Sequence, residues 1–297
     1  MTHVAIIGCG DIGFRVAQLE QQNSRHVVGL VRSPPCVTRL EAHGMQALQG
    51  DLDHPDQLPT LPSQALVYYF APPPPQGTAD RRMENFLQTL KQPPRKIIYI
   101  STTGVYGDCK GAWVDETTTP TPGNDRAKRR LDAEKRLLAY QQKSGTPVVI
   151  LRVGGIYGPG RLPLERIRQG APVLCDEDSH SFTNRIHADD LARICIAAAD
   201  KGEAGAIYNV SDGQPGTMAQ YFNTVAHVFG LPAPPAIGLR EARRRFSAEM
   251  LSYLDESRRI DNRKMLHDLG ITLQYPNLEA GLAACLTHAI DHESIKH

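Results

Sequence analysis

Val4-Ala5-Ile6-Ile7-Gly8-Cys9-Gly10-Asp11-Ile12-Gly13 stands near the start of the chain and decides its architecture. The four apolar residues read as a strand covered on both faces, the mark of a parallel sheet buried between helices. A GxGxxG turn follows and runs straight into a helical stretch from Ile12 to about Gln22. In this setting each glycine has its own reason. Gly8 permits the tight turn, Gly10 lets backbone approach a pyrophosphate, and Gly13 lets helix pack closely on strand. The amide-rich start of the helix then faces the phosphate charge. Gly8, Cys9, Gly10, Asp11, Ile12 and Gly13 are thus expected to hold a dinucleotide.

Working outward, strands are expected at 26–31, 65–70, 96–100 and 147–151, with helices at 37–43, 80–91 and 124–142 between them. A helix near 188–200, a strand at 206–210 and a helix near 217–229 come next, and the last 60 residues read as mainly helical. Alternating strand and helix specifies a parallel sheet, because right-handed crossovers return each strand beside its neighbour. The expected fold class is α/β, a Rossmann-like doubly wound parallel sheet with a small C-terminal substrate lobe. Residues 1–160 with 186–212 are assigned to the dinucleotide-binding domain, and 161–185 with 213–297 to the smaller lobe.

Bulk properties narrow the partners. Among 297 residues, 33 basic and 32 acidic side chains leave a net charge of +1. This balance argues against nucleic acid or a membrane surface as the main partner. No apolar run approaches the roughly 18 residues needed to cross a bilayer, and the first residues lack the layout of a signal peptide. The six cysteines form no close pair, which favours free thiols in a reducing cytoplasm and no metal centre.

The second strand ends Gly29-Leu30-Val31-Arg32-Ser33, without the acid that would hold a ribose 2′-hydroxyl. Arg32 would instead meet a 2′-phosphate, with Ser33 as a second donor, so NADP(H) is expected over NAD(H). Asp51, in Gly50-Asp51-Leu52-Asp53, is placed either to accept from the adenine amine or to cap a helix. Ala71, just past the third strand, is assigned to the cofactor side as well.

Further segments carry a resemblance. Ile100-Ser101-Thr102-Thr103-Gly104-Val105-Tyr106-Gly107, Arg152-Val153-Gly154-Gly155-Ile156-Tyr157-Gly158-Pro159-Gly160, Ile186-His187-Ala188-Asp189-Asp190-Leu191-Ala192 and Tyr208-Asn209-Val210 follow in order. Asp261-Asn262-Arg263-Lys264, Leu269-Gly270, Tyr275-Pro276 and Gly281-Leu282 close the series. Together with the glycine loop they resemble the extended, or atypical, short-chain dehydrogenase/reductase family, which includes nucleotide-sugar epimerases and dehydratases. That family's chemistry uses a YxxxK pair, in which the lysine lowers the phenol pKa and holds the nicotinamide ribose. Here the tyrosine slot falls on Arg126 and the lysine slot on Arg130; a register using Lys128 puts Asn124 in the tyrosine slot. A guanidinium stays protonated to about pH 12 and cannot exchange a proton as a phenol does. Arg130 could still hold ribose or phosphate, or belong to a solvated basic face.

The resemblance makes Thr102, with Thr103 second, the hydroxyl that would bond the reacting oxygen. Tyr106 is either a substitute acid or packing beside the cofactor. Tyr157, Arg161 and Arg185 are assigned to the substrate side, Tyr157 and Arg161 with a structural turn as the alternative. His187 beside Asp189 and Asp190 reads as a helix-capping corner rather than a relay. The run Arg240, Arg243, Arg244, Arg245 is either a solvated face or an anion clamp. The expected function is an NADP(H)-binding oxidoreductase, epimerase or dehydratase acting on a polar carbonyl or nucleotide-sugar-type small molecule. A catalytically silent NADP(H) sensor or partner-binding protein is the alternative. The resemblance also implies a possible homodimer through the helix at 124–142, although that helix is heavily charged.

Overall fold

The computed structural model describes residues 2–175, 181–247, 250–251 and 255–294. Strand β1 (His3–Ile7) is buried from Val4 onward, and its alternate side chains enter two different cores. Val4 and Ile6 pack with helix α1 (Asp11–Gln22), α2 (Pro34–Ala42) and α6 (Ala188–Lys201) on one face. Ala5 and Ile7 pack with α3 (Arg81–Thr89) and α4 (Asp125–Ser144) on the other. A continuous apolar run is what a strand covered on both faces requires.

The sheet runs β3 (Gln46–Gln49), β2 (His26–Val31), β1, β4 (Leu66–Tyr69), β5 (Lys96–Thr102), β7 (Val148–Val153), β11 (Ile207–Val210). Every neighbouring pair is parallel. The strand order reverses between β1 and β4, and there the carboxyl ends open a crevice for ligands. The doubly wound α/β class is as expected. Local chemistry sets the helix ends that frame this edge: Asp80 accepts from Met83 N at 3.0 Å to start α3, and Asn124 accepts from Ala127 N at 2.9 Å to start α4. Gly145, at φ +74°, ends α4 in the left-handed conformation that suits glycine.

Past β7 the chain builds short parallel pairs. These are β8 (Gly155–Tyr157) with β10 (Arg185–His187), and β9 (Val173–Leu174) with β12 (Ala236–Ile237). Short helix α5 (Leu164–Arg168), α7 (Met218–Val228) and the helix Leu278–Ser294 join them around Tyr157, Ile167, Phe222 and Leu282. Helix α8 (Leu239–Arg245) seals a smaller cluster with Leu174 and Ile237.

One expected boundary differs. β13 (Arg259–Ile260) returns to pair with β6 (Trp113–Val114). The helix Arg263–Leu269, expected within the smaller lobe, instead buries Met265 and Leu269 in the core shared with α6 and the sheet. Apolar contact with α6 and β11 outweighs sequence proximity to the lobe. Among the described residues no helix is long and apolar enough to cross a membrane.

Candidate functional site

The glycine loop divides its work as its spacing demands. Gly8 adopts φ +86°, and a Cβ there would lie 2.6 Å from Ala71 N, so this turn is pressed against the end of β4. Gly8 N donates to Leu30 O at 3.0 Å and Gly10 N to Gly8 O at 2.8 Å, closing the turn. A Cβ on Gly13 would meet Gly8 O at 3.0 Å and Ile6 Cγ2 at 3.1 Å, which lets α1 sit tightly on β1. At Gly10 a Cβ would meet no atom within 4 Å: this glycine faces open space. Amides in the first turn of a helix lack intrahelical acceptors, and Gly10, the N-cap of α1, has no side chain to satisfy them.

That space is part of a cavity of about 320 Å³ lined by Gly8, Cys9, Gly10, Arg32, Ser33, Asp51 and Ala71. The structure thus gathers most of the expected cofactor residues on one surface. Ile12 is buried in the core beneath and can offer only backbone, while Asp11 pairs with Arg15 Nε at 3.0 Å and Arg161 Nε at 3.1 Å. Arg32 and Ser33 are exposed. Asp51 Oδ1 accepts from Asp53 N at 3.0 Å, a local turn that leaves the residue on the cavity wall. Burial pushes the Cys9 thiol up to about 12, so it lines the wall as a neutral group.

Two arginines escaped the sequence reading. Arg82 lines the cavity, grips Asp53 through contacts of 2.8 and 2.6 Å, and donates to Pro72 O at 3.1 Å. Arg39 donates from Nη2 to Cys9 O at 3.0 Å and Gly10 O at 3.2 Å, with its guanidinium 4.5 Å from the Phe14 ring centre. It braces the glycine loop from behind. The Gly50-Asp51-Leu52-Asp53 motif hinted at Arg82's partner, but no local signal pointed to either arginine.

At the end of β5, Thr102 is half-buried and its Oγ1 accepts from Gly104 N at 3.1 Å; Thr103 is buried. Arg130 reaches the same strand, donating from Nη1 to Ile100 O at 3.1 Å and to the Tyr99 hydroxyl at 3.3 Å. The lysine-slot cation therefore lies against the strand that carries Thr102. Tyr99 is pushed up to about 12 by burial, with Arg130 opposing the shift. The start of α4, from its N-cap Asn124 to Arg130, contains no tyrosine.

Tyr106 does not join this group. It is fully buried, its hydroxyl donates to Asn209 Oδ1 at 2.8 Å, and Arg152 lies 4.8 Å over its ring. Burial raises its pKa, and no face of the ring is open to a ligand. Beneath it Arg152 and Glu134 form a buried ion pair at 2.7 Å, to which Ser101 also donates. Tyr157 is likewise buried. Only 1% exposed, it packs edge-on to His187 and donates to Asn277 O at 3.3 Å, and burial lifts its pKa far above the phenol range.

Arg161 and Arg185, by contrast, line one cavity of about 350 Å³ in the second region, joined to the glycine loop through the Arg161–Asp11 pair. His187 caps α6 as expected: Nδ1 accepts from Asp189 N at 3.2 Å, and burial lowers its pKa, so the ring is neutral. Asp190 accepts from Gln274 N and Tyr275 N at 2.9 and 2.8 Å, pinning the closing segment. The α8 arginines are exposed, with Arg245 paired to Glu241 at 2.9 Å.

Comparison with known proteins fits this geometry. Protein YeeZ of Escherichia coli K12 is 27% identical over 93% of this chain and 97% of its own length. Several other curated matches are partial, one reaching across only 34% of the relative's length. A structure of a functionally unknown conserved protein from Silicibacter pomeroyi superposes with TM-score 0.85 at 29% identity, covering 97% of this chain and 99% of that one. A dTDP-glucose 4,6-dehydratase from Bacillus anthracis in complex with NAD shares the fold at TM-score 0.77 and 16% identity, over 99% and 98% of the two chains. Residues 4–211, from β1 through β11, match the NAD dependent epimerase/dehydratase family, and the chain belongs to it.

Proposed function

We propose that the chain is an NADP(H)-dependent oxidoreductase, epimerase or dehydratase-like enzyme acting on a polar carbonyl or nucleotide-sugar-type substrate. The observation that carries this reading is the open face of Gly10 in a cavity edged by Arg32 and Ser33. A Cβ-free backbone beside uncommitted helix amides suits a pyrophosphate. Among the described residues the Arg32 guanidinium has no hydrogen-bond partner, which suits a 2′-phosphate. A bound nicotinamide would supply hydride transfer. Gly8, Cys9, Gly10, Asp11, Ile12 and Gly13 would hold the pyrophosphate, Arg32 and Ser33 the 2′-phosphate, Asp51 and Ala71 the adenosine end, and Arg130 the ribose. Thr102, with Thr103, would hold the reacting oxygen. Arg161 and Arg185 would face substrate between the sheet and the smaller lobe.

The NAD seen with the Bacillus anthracis dehydratase supports a nicotinamide cofactor; the preference for NADP(H) rests on Arg32. Titration of the protein with NADPH and NADH, for wild type and Arg32→Ala, is the test. Selective NADPH binding that weakens at least tenfold in the mutant is expected. Equal affinity for the two dinucleotides would sink the preference, and failure to bind either would sink the enzyme reading.

A second reading is a silent NADP(H)-binding sensor. It is favoured by a buried Tyr106 and an α4 opening without tyrosine. It predicts binding without turnover across carbonyl and nucleotide-sugar compounds, and any robust turnover removes it.

A further inference from the structure

Among the described residues, two guanidinium groups in the cavity beside Arg161 form no ion pair with a carboxylate. Arg185 lies 3.6 Å over the Tyr221 ring and gives Nη2 to Thr183 Oγ1 at 3.1 Å and Met218 Sδ at 3.6 Å. Arg166 lies 5.0 Å over Phe222 and gives Nη2 to Met250 Sδ at 3.1 Å and Pro172 O at 3.5 Å. Among the described residues neither forms an ion pair. Thioether sulfur is a weak acceptor, and burial pulls both arginines below their usual range. Asp212, whose charge reaches Arg185, is itself pushed up to about 7 by burial, so it is only partly ionised near neutrality.

The remaining wall decides what kind of anion fits. Ile156, Val173, Leu174, Met218, Phe246 and Met250 make it apolar. One face each of Tyr221 and Phe222 is covered by a guanidinium. Tyr221 and Ser247 bring the only hydroxyls among the described lining residues, which include no carboxylate, amide or imidazole. A nucleoside or sugar needs matched hydrogen-bond donors and acceptors for its buried edges, and among the described residues this wall offers side-chain acceptors only at Tyr221, Ser247 and the thioethers. A cavity of about 350 Å³ is large enough for a small organic molecule.

We infer that this cavity selects an amphipathic organic anion, a carboxylate or phosphate on an apolar carbon body, with its charged group between Arg166 and Arg185. This keeps the carbonyl arm of the proposed function, sets its nucleotide-sugar arm aside, and rests on the cavity being the substrate side. The experiment is calorimetric titration of the full chain with phenyl phosphate, phenylacetate, inorganic phosphate and uridine diphosphate. Wild type, Arg166→Met, Arg185→Met and the two Lys variants are compared. Phenyl phosphate or phenylacetate is expected to bind at least tenfold tighter than inorganic phosphate and than uridine diphosphate. Each Met variant should lose at least tenfold in that affinity, and each Lys variant less. Tighter binding of uridine diphosphate, binding of none of the aryl probes, or binding indifferent to both Met variants would overturn the inference. NADPH titration of the same samples reports folding separately: a variant that fails to bind NADPH is judged by its Lys counterpart. Wild type that binds the aryl anions but no dinucleotide would sink the cofactor proposal and leave the cavity's selectivity standing.

Discussion

Adding one methyl group at Gly8 and at Gly10 should have opposite consequences. In Gly8→Ala the new Cβ meets Ala71 N at 2.6 Å and Ala71 Cα at 2.7 Å, on a backbone held at φ +86°. The left-handed conformation costs an L-residue about 1–2 kcal/mol. Displacing packed backbone costs about 1–3 kcal/mol more. Restricting the unfolded chain returns less than about 1 kcal/mol. The net loss is about 1–5 kcal/mol, and at about 2–4 °C per kcal/mol the melting temperature should fall by roughly 2–20 °C. In Gly10→Ala the Cβ meets nothing within 4 Å and φ is −76°, so stability should hold within about 0.5 kcal/mol. The methyl would nevertheless fill the space assigned to the pyrophosphate, and dinucleotide affinity should drop at least tenfold. Thermal melts and NADPH titrations of both variants check the pair. Wild-type affinity in Gly10→Ala, or a melting temperature within 1–2 °C (roughly one destabilising kcal/mol or less) in Gly8→Ala, would refute the assignment of the two glycines.

Glu134→Ala leaves the Arg152 guanidinium buried without its counter-charge and should cost about 3–5 kcal/mol in denaturant unfolding. Tyr106→Phe removes the hydrogen bond to Asn209 and the hydroxyl's interaction with Arg152; it should cost about 0.5–1.5 kcal/mol and leave NADPH affinity unchanged, whereas a lost affinity would return Tyr106 to the site. Thr102→Ala should lower any turnover by about 10²–10⁴ while sparing NADPH binding; turnover untouched by the change would remove Thr102 from the chemistry. Asp212 titrates near 7 in the fold against about 3.9 unfolded. Its stabilising protonation is full below about pH 4 and is lost as pH rises through about 7. Asp212→Asn should therefore gain stability relative to wild type at pH 8 and not at pH 4, read from denaturant midpoints at both values.

Much of the fold was legible because its signals are local. The run Val4–Ile7, the glycine spacing and the apolar runs of β2, β4, β5 and β7 need no distant partner to be read. Strand β3 was missed because Gln46 and Gln49 give an edge strand no apolar period, and β6, β9, β12 and β13 are two residues each. Such bridges exist only by virtue of what they pair with. The same limit governed the site. Arg32, Ser33 and Asp51 could be placed from the strand ends beside them. Tyr106 and Tyr157 stood in suggestive motifs, yet their burial is set by Asn209 and Asn277, far along the chain. Arg39, Arg82 and Arg166 matter through backbone carbonyls, an aspartate and a thioether that tertiary structure alone brings near.

The pairing of β13 with β6 sets an order of events on the ribosome. Trp113 is made early and stands opposite Arg259, which is made only after β11 is complete. Lys264 then ties to Ile207 O at 3.0 Å, and Met265 and Leu269 complete the core beside α6. Until that stretch arrives, the edge of the sheet at β11 lacks its cover, and an uncovered edge invites pairing with a neighbouring nascent chain. Contacts so distant in sequence also close slowly. The glycine loop is therefore made well before the stretch that covers this edge of the sheet.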